Sequence, residues 1–245
     1  MKLLSILPFN EHTWLMQWPD PVNLGNNAEV HELASVLNSM NPNPWMQVVP
    51  AYNSLLVQAR PDVIMQYPGY HAMHQLLVET VEHIAMQSRA YGHAKQAGVI
   101  KEEERPIVDI PVCFAQDLGT DMEDVTRRTA LTASEVVELF TSIEYFIYML
   151  GFLPGFAYMG SLPLPLQLPR KAKPVATRAG AVAIAGSQAG IYPLNSPGGW
   201  HVLGFTPLKL FDSNKDTPCL LQPGMQVRFK PISLHEYLNR VSNGH

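Results

Sequence analysis

Charge is scarce in this sequence. Of its 245 residues only 16% are Asp, Glu, Lys or Arg, and 17 basic against 21 acidic residues leave a formal net charge of -4. Apart from short clusters such as "PRKAK" the basic residues are scattered, which gives no electrostatic footprint for nucleic acid and excludes DNA and RNA as partners. Cysteine is scarcer still. Cys113 and Cys219 stand far apart in the apolar segments "IPVCFAQ" and "TPCLLQP", the pattern of reduced, buried thiols in a cytoplasmic protein, although a single disulfide stays open. No run of about 18 apolar residues occurs, so no membrane-spanning helix is expected. Pro8 and Asn10 interrupt the first apolar run before the core of a signal peptide forms. A Walker-type Gly-Lys-Ser/Thr is also missing, so the glycines by themselves license no nucleotide site.

What is present is a 47% apolar composition with 21 Pro and 16 Gly, typical of turn-rich β or α+β proteins. The length suits two small domains. "LLSILPF" and "HTWLMQW" read as paired strands. "NAEVHELASVLNSM" has helical spacing, with Val30, Leu33, Ala34, Leu37 and Met40 on one stripe and Asn27 as its N-cap. "MQVVPAY" and "SLLVQAR" are two further strands, and "GYHAMHQLLVETVEHIAMQ" is a second helix built on Met73, Leu76, Leu77 and Ile84. The unit is a ββαββα-like, two-layer α+β domain over residues 1–88. Residues 89–106 are polar, hold the acidic run "KEEE" and end in Pro106, and read as a linker.

Beyond the linker the texture changes. "IVDIPVCFA" is a strand, and "DMEDVTRRTALTASEVVELFTS" holds helical turns, with Thr132 and Glu135 placed for a capping box. "YFIYMLGF", "AGAVAIAG", "WHVLGF", "LKLF", "CLLQ" and "MQVRFKP" are short strand candidates between Gly and Pro turns. That spacing predicts a β-barrel over residues 107–240.

Two segments are dense in unusual residues. "GFLPGFAYMG" at 151–160 combines three aromatic rings, three Gly and one Pro without a charge. Within it "LPGF" suits a type II turn, Pro154 presetting one dihedral and Gly155 supplying the positive φ, so that Phe152, Phe156 and Tyr158 are presented. "GIYPLNSPGGW" at 190–200 is an extended, turning stretch between Tyr192 and Trp200, where the amides of Gly198 and Gly199 can meet an anionic or carbonyl oxygen. Between them Ala181, Ala183 and Ala185 leave one strand face very small, with room for a ligand or another backbone. Barrel turns with aromatics filling a core would also give this pattern. His71 and His74, with His83 further on, lack matched carboxylates or cysteines and read as surface histidines, so no metal is expected. Glu135 and Glu138 read as a solvated helix face. No catalytic triad can be defended from spacing, and no catalytic residue is singled out.

Together, "VVPAYNSLLV", "VVELFTSIEYFIYMLGFLPGFAYMGSL", "LPRKAKP", "AGIYPLNSPGGWHVLGFTPLKLFD" and "LLQPGMQVRF" resemble, in that order, the family of the B-type subunit of bacterial 5-oxoprolinase, also called allophanate hydrolase subunit 1 or the kinase-inhibitor family. The resemblance covers nearly the whole chain. It implies a small α+β domain followed by a cyclophilin-like β-barrel, association with a homologous C-type subunit, and, with a separate A-type subunit, ATP-dependent conversion of 5-oxoproline to glutamate. Related modules belong to urea carboxylase. A lactam amide is a poor electrophile, so coupling to ATP through a phosphorylated lactam oxygen would make its carbonyl attackable. ATP with Mg would act at the level of the complex, with no cofactor tightly bound to this chain. Arg170 and the amides of Gly198 and Gly199 are then candidates to face phosphates, and Tyr145, Tyr158 and Tyr192 to orient a small polar ring. Phe152, Pro154, Gly155, Phe156, Gln188, Ser196, Trp200 and Thr206 complete the candidate substrate-binding set.

The sequence also departs from the family pattern. Phe140 stands where a His is usual, Val175 where a second Arg, Ala181 where a Ser, Phe205 where an Arg or His, and Met225 where an Asp. Arg178 is near enough in sequence to replace the lost charge. Correlated loss of polar partners is what a retired or repurposed site would show, and harmless drift in an active member would look the same. The alternative function is a non-catalytic module that captures a Pro-containing segment of a sensor histidine kinase in an aromatic groove. A peptidyl-prolyl isomerase has only the barrel in its favour.

Overall fold

The structure, a computed structural model, describes residues 5–19, 21–64, 71–82, 106–118 and 120–243. It divides into two compact units, 1–104 and 105–245. Residues 89–105 of the expected linker, Ile84 and His83 lie outside the described residues.

In the first unit β1 (Ser5–Asn10), β2 (Thr13–Gln17), β3 (Trp45–Pro50) and β4 (Ser54–Ala59) form an antiparallel sheet in the order β1-β2-β4-β3. Its buried residues alternate along the strands, Trp14 and Met16 on β2 and Leu55, Val57 and Ala59 on β4, as a half-buried sheet requires. Helix α1 (Leu24–Ser39) buries Val30, Leu33, Ala34 and Leu37. After the short α2 (Pro61–Ile64), α3 (residues 71–82) adds Met73, Leu77 and Val81 to the same core. The expected cap is displaced. Asn23, not Asn27, caps α1, its side chain accepting the Asn26 N–H at 2.9 Å. Asn27 lies inside the helix, where its buried amide donates to the carbonyls of Ala51 (3.2 Å) and Tyr52 (3.0 Å) and ties the helix to the β3–β4 turn.

The second unit is the expected barrel. Its strands are β5 (Ile107–Val112), β6 (Tyr145–Leu150), β7 (Ala157–Gly160), β9 (Ala181–Ala185), β10 (Gln188–Ile191), β12 (His201–Phe205) and β13 (Gln226–Pro231), in the order β12-β9-β10-β7-β6-β13-β5. A separate ribbon pairs β8 (Val175–Thr177) with β11 (Ser196–Gly198). All neighbours are antiparallel except β13 and β5.

The two ends of the seven-strand order meet. Cys113, next after β5, exchanges both backbone hydrogen bonds with Phe205 at the end of β12, each at 2.9 Å, which joins the two edge strands and removes an exposed edge. Gly204 sits at a register shift in β12, and a Cβ there would lie 2.6 Å from the Cys113 carbonyl oxygen. Glycine is required for closure.

Helices α4 (Met122–Thr129) and α5 (Ala133–Thr141) follow β5. The capping box is formed as expected: the Thr132 side chain accepts the Glu135 N–H, and Glu135 accepts the Thr132 N–H at 2.7 Å. Phe140 on α5 stacks on Phe229 of β13 at 4.8 Å and belongs to the barrel core. "LKLF" and "CLLQ" are not strands but share one bridge, Phe211 with Cys219. Strands β7, β8, β10 and β11 and the terminal helix α6 (Leu234–Ser242) lie beyond the strands and helices expected from sequence. Both cysteines are free, Cys113 buried and Cys219 partly exposed.

Because Gly204 faces backbone and not a yielding side chain, Gly204→Ala is expected to destabilise the chain by about 1–3 kcal/mol. Urea unfolding followed by circular dichroism checks this, and an unchanged midpoint would show that the barrel does not depend on this contact.

Candidate functional site

The two unusual segments converge on the second unit. Phe156 sits at the centre of an aromatic cluster, with ring centroids 4.7 Å from Tyr158, 5.1 Å from Tyr192, 5.4 Å from Trp200 and 5.6 Å from Phe152. Most of these pairs are edge-to-face, the favourable arrangement for rings with a negative face and a positive rim.

Small residues make the cluster possible. A Cβ on Gly190 would lie 2.8 Å from Phe156 Cζ and 2.9 Å from Trp200 Cζ3, and one on Gly198 would lie 2.4 Å from the Tyr192 hydroxyl. Ala181, Ala183 and Ala185 pack in the same buried cluster as Phe156, Tyr192, Trp200 and Phe205. The space those alanines leave is therefore occupied by the protein's own rings, where the sequence had left room for a ligand.

Above the cluster lies a pocket of about 340 Å³. Of the sequence-predicted residues, Phe152, Phe156 and Tyr158 line it from the first motif and Tyr192, Gly198, Gly199 and Trp200 from the second, joined by Arg170. Lys171, Ala172, Pro174 and Pro197 complete the lining.

Others stand elsewhere. Tyr145 is fully buried in the barrel core, its hydroxyl donating to the Phe140 carbonyl at 2.8 Å, so it cannot orient a ligand in this pocket. Pro154 and Gly155 form the turn beneath Phe156: the Phe156 N–H bonds the Leu153 carbonyl at 3.0 Å and Gly155 has φ +82°, as a type II turn requires. Gln188 pairs with Gly160 and Ala185 within the sheet. Buried Thr206 accepts the Leu208 N–H through its hydroxyl at 3.3 Å. Ser196 lines an adjoining hollow of about 570 Å³, which shares Pro174 and Pro197 with the pocket and also takes in Val175 and Arg178.

The five departures from the family pattern are likewise dispersed, and none of them lines the pocket. Phe140 belongs to the barrel core and the half-buried Met225 packs against it, Ala181 and Phe205 belong to the buried aromatic cluster, and Val175 to the adjoining hollow. Arg178 lies over Phe205 at 4.5 Å and donates to the Leu118 carbonyl.

The polar wall is set by a residue that carried no sequence signal. Asp121 Oδ2 accepts from Lys171 Nζ at 2.6 Å and from the Val202 N–H at 2.7 Å, while the Lys171 N–H bonds the Gly199 carbonyl at 2.8 Å. This fixes "PRKAK" beside the two glycines. His201 is buried, and its Nε2 lies 2.9 Å from the Pro169 carbonyl oxygen in a hydrogen bond. Arg170 lies over the Trp200 ring at 5.9 Å. Burial pushes the Tyr158 and Tyr192 phenols up, in Tyr192 against a hydrogen bond from the Trp200 backbone, so both remain neutral hydroxyls at physiological pH. Among the described residues no group of three or more His, Cys, Asp or Glu could hold a metal ion, and no helix is long and apolar enough to cross a membrane.

The sequence family described as carboxyltransferase domain, subdomain C and D, matches residues 4–221. The chain belongs to that family. It is similar to the B-type subunit of the 5-oxoprolinase of Bacillus subtilis (strain 168), with 33% identity over 95% of this chain and 95% of that one. Similarity to the corresponding 5-oxoprolinase subunit of Escherichia coli O157:H7 is 37% over 89% of this chain and 91% of the relative. Among solved structures, TTHA0988 superposes with a TM-score of 0.70 at 30% identity over 91% of this chain. This carboxyltransferase-family chain spans 40% of that longer protein.

Phe152 is 61% exposed and has φ +64°, and the Leu153 N–H bonds the Gly151 carbonyl across it at 2.7 Å. That is a tight turn of a kind a bulky residue rarely adopts, and it holds the ring at the pocket's edge. Both Phe152→Gly and Phe152→Ala delete the ring, but only glycine adopts this φ freely. Phe152→Gly is therefore expected to be more stable than Phe152→Ala by about 1 kcal/mol. Thermal or urea unfolding of the pair checks it, and equal stabilities would mean that the turn is not strained.

Proposed function

We propose that this chain is the B-type component of an ATP-dependent 5-oxoprolinase, or of a closely related amide-processing complex, acting in the cytoplasm with a homologous C-type subunit and an A-type subunit. The observation that carries the reading is the convergence of the two motifs, "GFLPGFAY" and "IYPLNSPGGW", on one pocket whose open side presents Arg170. The similarity to proteins named as the B-type subunit of 5-oxoprolinase supports it.

The chemistry gives this chain a binding and orienting part. Its aromatic walls would hold a small ring and exclude water, the hydroxyls of Tyr158 and Tyr192 would meet polar ring atoms, and Arg170 with the amides of Gly198 and Gly199 would take an anionic group. ATP with Mg supplies the activation of the lactam to the complex. The residues of this pocket do not themselves fit a nucleoside triphosphate, because Lys171 is neutralised by Asp121 at 2.6 Å.

The reading predicts ATP-dependent conversion of 5-oxoproline to glutamate by this chain reconstituted with its matching subunits, abolished when the chain is omitted. Product quantified by chromatography checks both arms. An assembled complex without turnover would sink the substrate assignment. Inhibition of a sensor histidine kinase's autophosphorylation by the chain alone would then favour the binding-module alternative.

A further inference from the structure

We propose that the outer face of the β1-β2-β4-β3 sheet is a docking surface for a second copy of this chain, the two sheets packing face to face about a twofold axis. The proposal is independent of the pocket and of the reaction assigned to it.

Register tells the two faces of this sheet apart. Trp14 pairs with Val57 and Met16 with Leu55, and all four are fully buried in the core shared with α1 and α3. The residues between them in sequence belong to the opposite face. There Leu7, Leu15, Leu56 and Val49 pair in succession across all four strands, an unbroken aliphatic row. Leu7 and Val49, at its two ends, are each 47% exposed. Ser5, Gln17 and Ser54 flank the row on one side, and Gln47 and Gln58 on the other. An antiparallel sheet with one solvated face ordinarily alternates apolar side chains inward with polar ones outward. This sheet carries an aliphatic row on each face.

Charge identifies the occupant. None of the four strands contains Asp, Glu, Lys or Arg. In a twofold contact each row meets its own copy, so a charge near the axis would face its like. A charge-free face meets its own copy without that cost, while a partner chosen by ion pairs finds nothing on these strands to pair with. The sheet edges are closed to a different mode of association. Both edge strands carry a proline, Pro8 in β1 and Pro50 in β3, and proline has no N–H with which to continue a ladder. Face-to-face packing remains. With the axis parallel to the strands and between β2 and β4, the Leu7 end of each row lies on the Val49 end of the other. Strands about 4.8 Å apart and five or six residues long give a face of roughly 14 Å by 17–20 Å between backbone axes. That is small for a stable interface, so a dissociation constant on the order of 10 µM is expected.

The test is sedimentation velocity of the full chain across concentrations of about 1–200 µM, which bracket that constant. A reversible monomer–dimer equilibrium is expected, and raising NaCl from about 0.1 M to 1 M should not weaken it, since no ion pair is involved. Leu7→Lys and Val49→Lys each place a charge against the partner sheet and should raise the dissociation constant about a hundredfold or more. Both positions are half exposed, so the variants are expected to fold, which circular dichroism verifies. Val49→Thr keeps the β-branched shape without introducing a charge and should weaken the dimer about three- to tenfold, which supplies the test should a lysine variant not fold. A wild-type chain that stays monomeric throughout, a dimer that dissociates in high salt, or a dimer unchanged in the folded variants would each overturn the proposal. If the chain alone is monomeric and the same variants instead abolish binding of a C-type subunit, the face belongs to that subunit and the proposal fails. Turnover by a reconstituted complex bears on none of these outcomes.

Discussion

The polar half of the site hangs on one carboxylate. Asp121 occupies the N-cap position of α4, where an Asp ordinarily accepts a backbone N–H from the first turn of its helix, yet its side chain makes no cap bond. It is turned instead toward β12 and the "PRKAK" loop, accepting from the Val202 N–H and from Lys171, while its own N–H bonds the Val202 carbonyl at 2.7 Å. A carboxylate that gives up its cap is locally misplaced, and the compensation is that it joins three segments distant in sequence. Remove it and Lys171 keeps a partly buried charge with no partner. That is the costly case for an ion pair.

The aromatic half depends on absences of side chain. Phe156 could not lie within 5.1 Å of Tyr192 and 5.4 Å of Trp200 if Gly190 or Gly198 carried a Cβ, and Ala181, Ala183 and Ala185 complete the bed on which the rings lie. Bulk and its complement are separated along the chain but adjacent in the sheet, because β9 and β10 are neighbours in register. Barrel closure holds that register. The bridge to Cys113 is made by Phe205 itself, the last residue of β12 and a member of the aromatic cluster.

Local chemistry was legible in the sequence wherever the determinant was local. The Thr132–Glu135 capping box and the Leu153–Phe156 turn each follow from residues within four positions of one another, and both are formed. The α1 cap was misplaced because three asparagines, Asn23, Asn26 and Asn27, stand together, and only tertiary contact shows that Asn27 is committed to the Ala51 and Tyr52 carbonyls. Helix α6 did leave a signal, Ser233 with Glu236 three residues on, and the Ser233 side chain accepts the Glu236 N–H at 3.1 Å. Strands β8 and β11 are three residues long and β11 contains Pro197, too little for an alternating pattern to register. Tyr145 was a candidate for orienting a ligand because aromatic side chains serve cores and pockets alike, and Phe140 drew notice only as a departure from the family pattern. Their burial against Phe229 assigns them to the core.

The same distinction changes what the departures from the family pattern mean. Lost polar groups argue for a retired site only if they faced the same cavity, since an unpartnered buried charge is costly only to the groups it touches. Here Phe140 lies in the barrel core with the half-buried Met225 packed against it, Val175 opens on the adjoining hollow, and Ala181 and Phe205 lie in the buried aromatic bed. Phe205 moreover supplies the ring face on which Arg178 rests at 4.5 Å, so an apolar residue at that position makes a contact of its own and leaves no vacancy. The groups that do face the pocket, Arg170 and the phenols of Tyr158 and Tyr192, are intact. Dispersed changes around an undisturbed lining are what packing drift produces, and they give no ground for reading the pocket as abandoned.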